Sequence, residues 1–192
     1  MVKPIKALAL STAALMGLSA AGALAQSNNN ASVSYTYGGL EYVEQNLDDY
    51  DCNQDGLSTY GSYAIDGPWF AIGSLTDVSG DKGCGSTTLQ LGAGYHTLLT
   101  RGWDLYGTLS VERTDPDHGD SDTGLVAAVG ARGWMFQQLE GKAEIAHHTV
   151  FDDTTEINLG ANYWLSQAVA ATLDTSFSDE GESIALGARM NF

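Results

Sequence analysis

Residues 87–99 read TTLQLGAGYHTLL, and their alternation decides the fold. Leu89, Leu91, Ala93 and Tyr95 fall on one side of an extended chain; Gln90, Gly92, Gly94 and His96 fall on the other. A side-chain period of two marks a strand with one apolar face. The pattern recurs in WDLYGTLSVE, residues 103–112, where Trp103, Leu105, Leu109 and Val111 oppose Asp104, Tyr106, Thr108, Ser110 and Glu112. It recurs in LEGKAEIAHH, residues 139–148, with Leu139, Ala143 and Ile145 against Glu140, Lys142 and Glu144. It closes the chain in ESIALGARMNF, where Ile184, Leu186, Ala188, Met190 and Phe192 oppose Gly187, Arg189 and Asn191.

The connections between such segments alternate in length. Short ones fall at Asp66-Gly67-Pro68, Thr100-Arg101-Gly102, Phe136-Gln137-Gln138 and Ser166-Gln167. Longer, acidic ones cover 45–56, 77–86, 113–122, 150–155 and 178–181. Hairpins of similar size therefore follow one another. They predict ten strands, near 32–44, 57–66, 69–76, 87–99, 103–112, 123–134, 139–149, 156–165, 168–177 and 182–192. A Gly38-Gly39 break in the first strand leaves eight as the alternative.

Alternation alone also suits a soluble sandwich. Three features point to a closed, antiparallel, up-and-down transmembrane β-barrel instead. The strands match the ~9–11 residues that a tilted strand needs to cross a bilayer. All four tryptophans, Trp69, Trp103, Trp134 and Trp164, lie within a few residues of a short turn, with Phe70, Tyr95, Phe136 and Tyr163. That predicts one interfacial girdle at the short-turn end. The polar face carries charges within the strands: Asp104, Glu112, Arg132, Glu140, Lys142, Glu144, Asp174 and Arg189. Such charges line a lumen while the apolar face meets lipid. A sheet in lipid must close so that no edge group is left unpaired.

The beginning of the chain fits this location. Lys3 and Lys6 precede the apolar run ALALSTAALMGLSAAGAL at 7–24, and Ala23-Leu24-Ala25 precedes Gln26. These are the parts of a secretory signal peptide, residues 1–25, cut after Ala25. The remainder, 26–192, suits one domain. It keeps all 24 acidic residues and six of the eight basic ones, a net charge of −18. Such a chain repels nucleic acid, whose phosphates need Lys and Arg. Two cysteines in an exported chain, Cys52 and Cys84, predict one disulfide.

The final strand, ALGARMNF, ends in Phe192 and resembles the C-terminal strand of Gram-negative outer-membrane β-barrel proteins. LSTYGSYAID, LQLGAGYH and the run from INLGANYW to the end are similar to segments of small proteobacterial outer-membrane barrels, OmpA- or OmpX-like in the broad sense. The resemblance covers the whole mature chain. It implies a monomer in the outer membrane, surrounded by lipid and lipopolysaccharide. It also implies that the barrel assembly machinery reads Phe192.

Function is less legible. The lumen charges read as a salt-bridged plug, because a ten-strand barrel is only slightly wider than one that side chains fill. Unpaired charges there would be costly. The other reading of the same residues is a small cation-preferring porin. Enzymatic readings are weaker. Omptin proteases are ten-stranded barrels with Asp and His at the outer rim. Here Asp152 and Asp153 lie near His147 and His148, and Asp117 adjoins His118, but the strands are too short to raise a catalytic rim. Lipid A deacylases use a lipid-facing His-x-Ser and a Glu. His147, Thr149 and Glu156 approach that pattern, with Thr in place of the Ser nucleophile. The expectation is thus a non-enzymatic barrel with a structural or surface-interaction role.

Calcium or another divalent cation is the one ligand suggested. Acidic loops such as TDPDHGDSDTG at 114–124 and FDDTT at 151–155 offer the oxygen ligands it favours. DCNQDG at 51–56 matches the opening of a calcium loop through Asp51, Asn53 and Asp55. The twelfth position, where an EF-hand needs Glu, is Ser62, so only a partial site in a disulfide-tethered loop is expected.

Overall fold

The computed structural model describes residues 33–47, 52–80 and 84–192. Ten antiparallel strands account for most of them: β1 (Tyr37–Leu47), β2 (Cys52–Asp66), β3 (Trp69–Gly80), β4 (Ser86–Thr100), β5 (Trp103–Pro116), β6 (Asp122–Phe136), β7 (Leu139–His148), β8 (Thr154–Trp164), β9 (Val169–Phe177) and β10 (Gly181–Asn191). Each strand pairs with its chain neighbours, and β1 also pairs with β10, so the sheet closes. The Gly38-Gly39 pair does not interrupt β1. Gly38 faces Met190 on one side and Gly61 on the other, and Gly39 faces Arg189 and Tyr60. The eight-strand alternative falls for that reason.

The side chains are sorted as the alternation requires, and the sorting is inverted relative to a water-soluble sheet. Leu91 is 59% exposed and Leu109 60%, whereas Asp104 is 4% exposed and Glu140 1%. Leu125, Val129, Ile145, Leu159 and Leu186 are exposed with them. An apolar face wrapped around the whole barrel is far larger than a water-facing surface carries, so its solvent is lipid.

Two expectations need correction. The four-tryptophan girdle holds only in part. Trp69 points outward and meets Tyr95 edge-on, with ring centroids 5.1 Å apart. Trp103 shares the outward face of Leu105. Trp134 lies two residues beyond Arg132 and Trp164 two beyond Asn162, so both share those residues' inward face. Phe70, 3% exposed, is inside as well. The outward aromatics near the short turns are instead Tyr63, Trp69, Tyr95, Trp103, Phe136, Tyr163 and Phe192.

The second correction concerns DCNQDG. From Cys52 onward it is strand and not loop, because its backbone pairs with β1 through Leu47–Cys52, Asn46–Asn53 and Glu44–Asp55. Asn53 and Asp55, two residues apart on the strand, share its outward face. Asn53 and Asp55 are exposed, and Asp55 accepts a hydrogen bond from Tyr42 Oη at 2.8 Å. Asp51 lies outside the described residues, as does the segment 1–25 expected to be a signal peptide. Among the described residues, no three His, Cys, Asp or Glu side chains gather into a metal-holding group. Cys52 is bonded to Cys84, with Cα atoms 6.6 Å apart, which staples the start of β2 to the connection before β4.

Inside, large rings lie over glycines on the neighbouring strand. Phe70 faces Gly94 and Tyr106 faces Gly130 in direct cross-strand pairs. A Cβ at Gly94 would run into the Phe70 ring, and one at Gly130 into the ring of Tyr106. A Gly94→Val substitution is therefore expected to destabilise the refolded barrel by about 1–3 kcal/mol through overpacking. Urea unfolding in lipid vesicles measures it; Ala93→Val on the outward face is the control and should be near neutral.

Candidate functional site in the barrel lumen

The inward residues form two zones. At the short-turn end, Glu140 on β7 holds two cations through one oxygen. Its Oε1 accepts from Arg132 Nε at 3.0 Å and from Arg189 Nη1 at 3.3 Å, with Arg132 Nη2 also in contact. Arg132 comes from β6 and Arg189 from β10, and the three side chains are at most 5% exposed. Arg189 also donates to Asn191 Oδ1 at 3.2 Å, and its Cζ lies 3.8 Å from the centre of the Tyr37 ring. Trp134 and Trp164, with centroids 6.0 Å apart, pack beside this layer.

The rest of that end is filled by a segment that precedes β1. Residues 33–36 were expected within the first strand. They turn into the lumen instead. Val33 is 6% exposed and Tyr35 5%. The Tyr35 ring stacks on His96 at 4.0 Å and lies 4.6 Å from Phe70. Arg132 Cζ stands 4.9 Å from it on a further side. His96 in turn meets Asp104, Nδ1 to Oδ2, at 3.3 Å.

Above this layer the lumen opens. A cavity of about 250 Å³ continues into one of about 890 Å³ at the long-loop end. The two share Glu41, Ser74, Gln90, Lys142 and Asp174 in their walls. Lys142 Nζ pairs with Asp174 Oδ1 at 2.9 Å. Glu144 accepts from Tyr106 Oη at 2.7 Å and from Asn158 Nδ2 at 3.3 Å. Glu41 accepts from Thr172 Oγ1 at 2.8 Å. Glu112 meets His148 Nδ1 at 3.3 Å. The wider cavity is lined by Glu41, Glu112, Glu156 and Asp174, with Lys142 as the one fixed cation among the described inward residues there. Its field is negative.

The structure thus places Asp104, Glu112, Arg132, Glu140, Lys142, Glu144, Asp174 and Arg189 on the inner wall. Sequence reasoning missed Glu41 and Glu156 as lumen groups. The parity that set Leu40 and Tyr42, or Ile157, on the outside was the available signal. Tyr35 lacks such a signal, because it precedes the paired run of β1.

Among the described residues, His147, His148, Thr149 and Glu156 are not brought together as the deacylase pattern would need. His147 is outward and bonded to Thr155 Oγ1 at 3.1 Å, whereas Glu156 points inward, across the wall from it. The Thr149 hydroxyl is engaged at Leu125, accepting from its N–H at 2.8 Å and donating to its carbonyl at 3.3 Å. His148 faces Glu112 rather than Asp152 or Asp153, which are exposed.

A closed barrel with an apolar outer face and a charged, partly filled interior defines a transmembrane β-barrel. Residues 10–164 match the family model of the outer membrane protein β-barrel domain. The chain belongs to this family, and its place is the outer membrane. No curated protein sequence matches it. Among solved structures it is similar to an outer membrane channel from Pseudomonas putida F1, with 11% identity, a TM-score of 0.52, and 86% of this chain and 98% of that one covered. It is also similar to the β domain of the Bordetella autotransporter BrkA, with 14% identity, a TM-score of 0.51, and coverage of 81% and 98%. At these identities the likeness concerns the fold alone. The family places the short turns in the periplasm and the long loops outside the cell.

Removing one partner of a buried ion pair leaves an uncompensated charge and typically costs about 3–5 kcal/mol. Glu140→Ala is expected to cost that much, since it strips both guanidiniums of their shared acceptor. The urea midpoint of the refolded protein reads the loss. Glu44→Ala, exposed on β1, serves as the control with little change.

Proposed function

We propose that this chain is a non-enzymatic outer-membrane barrel, closed at its periplasmic end, that serves a structural or surface-interaction role through its acidic outer face. The observation that carries this reading is the layer in which Glu140 binds Arg132 and Arg189 while Tyr35, Phe70, Trp134 and Trp164 fill the remaining space. Such a layer has the groups of a stabilising plug and not those of a reaction. The hydrogen bonds that occupy His147, His148 and Thr149 support the absence of hydrolytic chemistry.

The outer face is the side available for interaction. Asp115, Asp117, Asp120, Asp152 and Asp153 are exposed at the long-loop end. In this reading their carboxylates share divalent cations with lipopolysaccharide phosphates, calcium being suited to such oxygen ligands. The monomer is inserted by the barrel assembly machinery, which recognises the strand ending in Phe192, after export by the segment 1–25. Calcium at millimolar concentration is expected to raise the unfolding temperature of the refolded protein. The gain should shrink in an Asp152→Asn, Asp153→Asn variant; no gain in the parent protein overturns the cation reading.

A small cation-preferring porin is the second reading, favoured by the negative field of the wide outer cavity. Conductance in planar lipid bilayers separates the two. The full-length barrel is expected to insert without discrete channel events. Steady single-channel steps from the unmodified protein would replace the closed-barrel reading with the porin.

A further inference from the structure

We infer that the lumen is a latent cation path and that residues 33–36 form the strap that shuts it. The inference rests on the closed-barrel reading and assigns the closure to a removable part. The outer part of the route is already open, since the 890 Å³ and 250 Å³ cavities share walls at Glu41, Lys142 and Asp174. The block lies below them and consists of two halves. The ion-pair layer of Arg132, Glu140 and Arg189 is anchored on β6, β7 and β10. The opposite arc of the barrel, β2 to β4, is sealed by the strap, through Ser62, Phe70 and His96.

The strap is attached differently from the wall. Every wall strand is held by ladders on both sides, and the paired run of β1 starts at Tyr37, with one further backbone bond from Phe192 N–H to the Thr36 carbonyl at 3.3 Å. The strap has a few single bonds. Ser62 Oγ donates to the Tyr35 carbonyl at 2.8 Å, Arg189 Nη2 to the Ser34 carbonyl at 3.1 Å, and the Ala64 N–H to Thr36 Oγ1 at 3.1 Å. Apolar packing supplies the rest: Val33 and Tyr35 form a buried cluster with Phe70 and Tyr106. Withdrawal of these residues costs the bond from Phe192 N–H to Thr36 and leaves the ladders from Tyr37 onward in place, so the barrel survives it. It vacates the space between His96, Phe70 and Arg132 that the Tyr35 ring fills. The path so opened runs past Glu112, Glu156, Glu41 and Asp174. Rings of acidic side chains favour cations in a pore.

The test compares the full-length protein with a Val33→Ser, Tyr35→Ala double variant, both refolded and checked for the heat-modifiable gel shift of a closed barrel. The parent is expected to be silent in planar bilayers. The folded variant is expected to show discrete steps with cation-over-anion permeability. Adding Glu112→Gln and Glu156→Gln to it should reduce that preference severalfold. A folded double variant that stays silent overturns the strap while leaving the closed barrel intact. A parent that conducts as well as the variant overturns the closed barrel itself. Should the double variant fail to fold, the single Tyr35→Ala variant, which vacates the ring's space and keeps the Val33 packing, is read by the same two criteria.

Discussion

Closure of the sheet is the constraint on which everything else depends. In hydrocarbon no water is present to pair an open strand edge, so each backbone N–H and C=O must find a partner within the protein. The ladder from Tyr37–Asn191 to Leu47–Gly181 supplies those partners between the first and last strands. Once the ring is closed, the two-residue period forces a division. Every odd or even set of side chains must face either lipid or a confined interior. The apolar set is outside, so the charges are inside, and they must satisfy one another.

That interior is where the sequence had freedom, and it is not uniform. Near the periplasmic turns, one carboxylate serves two guanidiniums, and aromatic rings occupy what the ions leave. Buried charge is tolerable there because Glu140 Oε1 pairs with both guanidiniums, while Glu140 Oε2 and Arg189 Nε are left without a partner; an isolated charge would cost several kcal/mol. Toward the cell exterior the side chains shorten to Ser, Thr and Gly, and a cavity remains. Inward glycines have a second use: Gly94 and Gly130 give Phe70 and Tyr106 room to lie flat against the wall. The same residue type thus widens the outer half and lets the inner half be filled.

Much of this was legible in the residue pattern. The ten strands, their short and long connections, and the facing of Asp104, Glu140, Lys142 and Arg189 follow from parity alone. Parity also held the answer for Trp134 and Trp164, two residues beyond inward Arg132 and Asn162. Reading them by proximity to a turn gave the wrong face. DCNQDG misled for another reason. Its Asp, Asn and Gly have turn preferences, but ladder bonds to β1 and the bridge from Cys52 to Cys84 outweigh a local preference of that kind. Intrinsic propensity is weak where a closed sheet offers every backbone group a partner.

The sequence by itself determined the class of fold, the strand count, which side of each strand meets lipid, and which cysteines pair. These follow from local periodicity and from composition, because a strand's two faces are fixed by geometry at each residue. Only the tertiary structure decided who meets whom across the lumen. Glu140 and Arg189 are 49 residues apart in the chain, and Tyr35 reaches His96 from outside any strand. No period encodes such contacts. They arise from the diameter of the closed ring and the length of the side chains that cross it, so the plug and its strap became visible only once the barrel was closed.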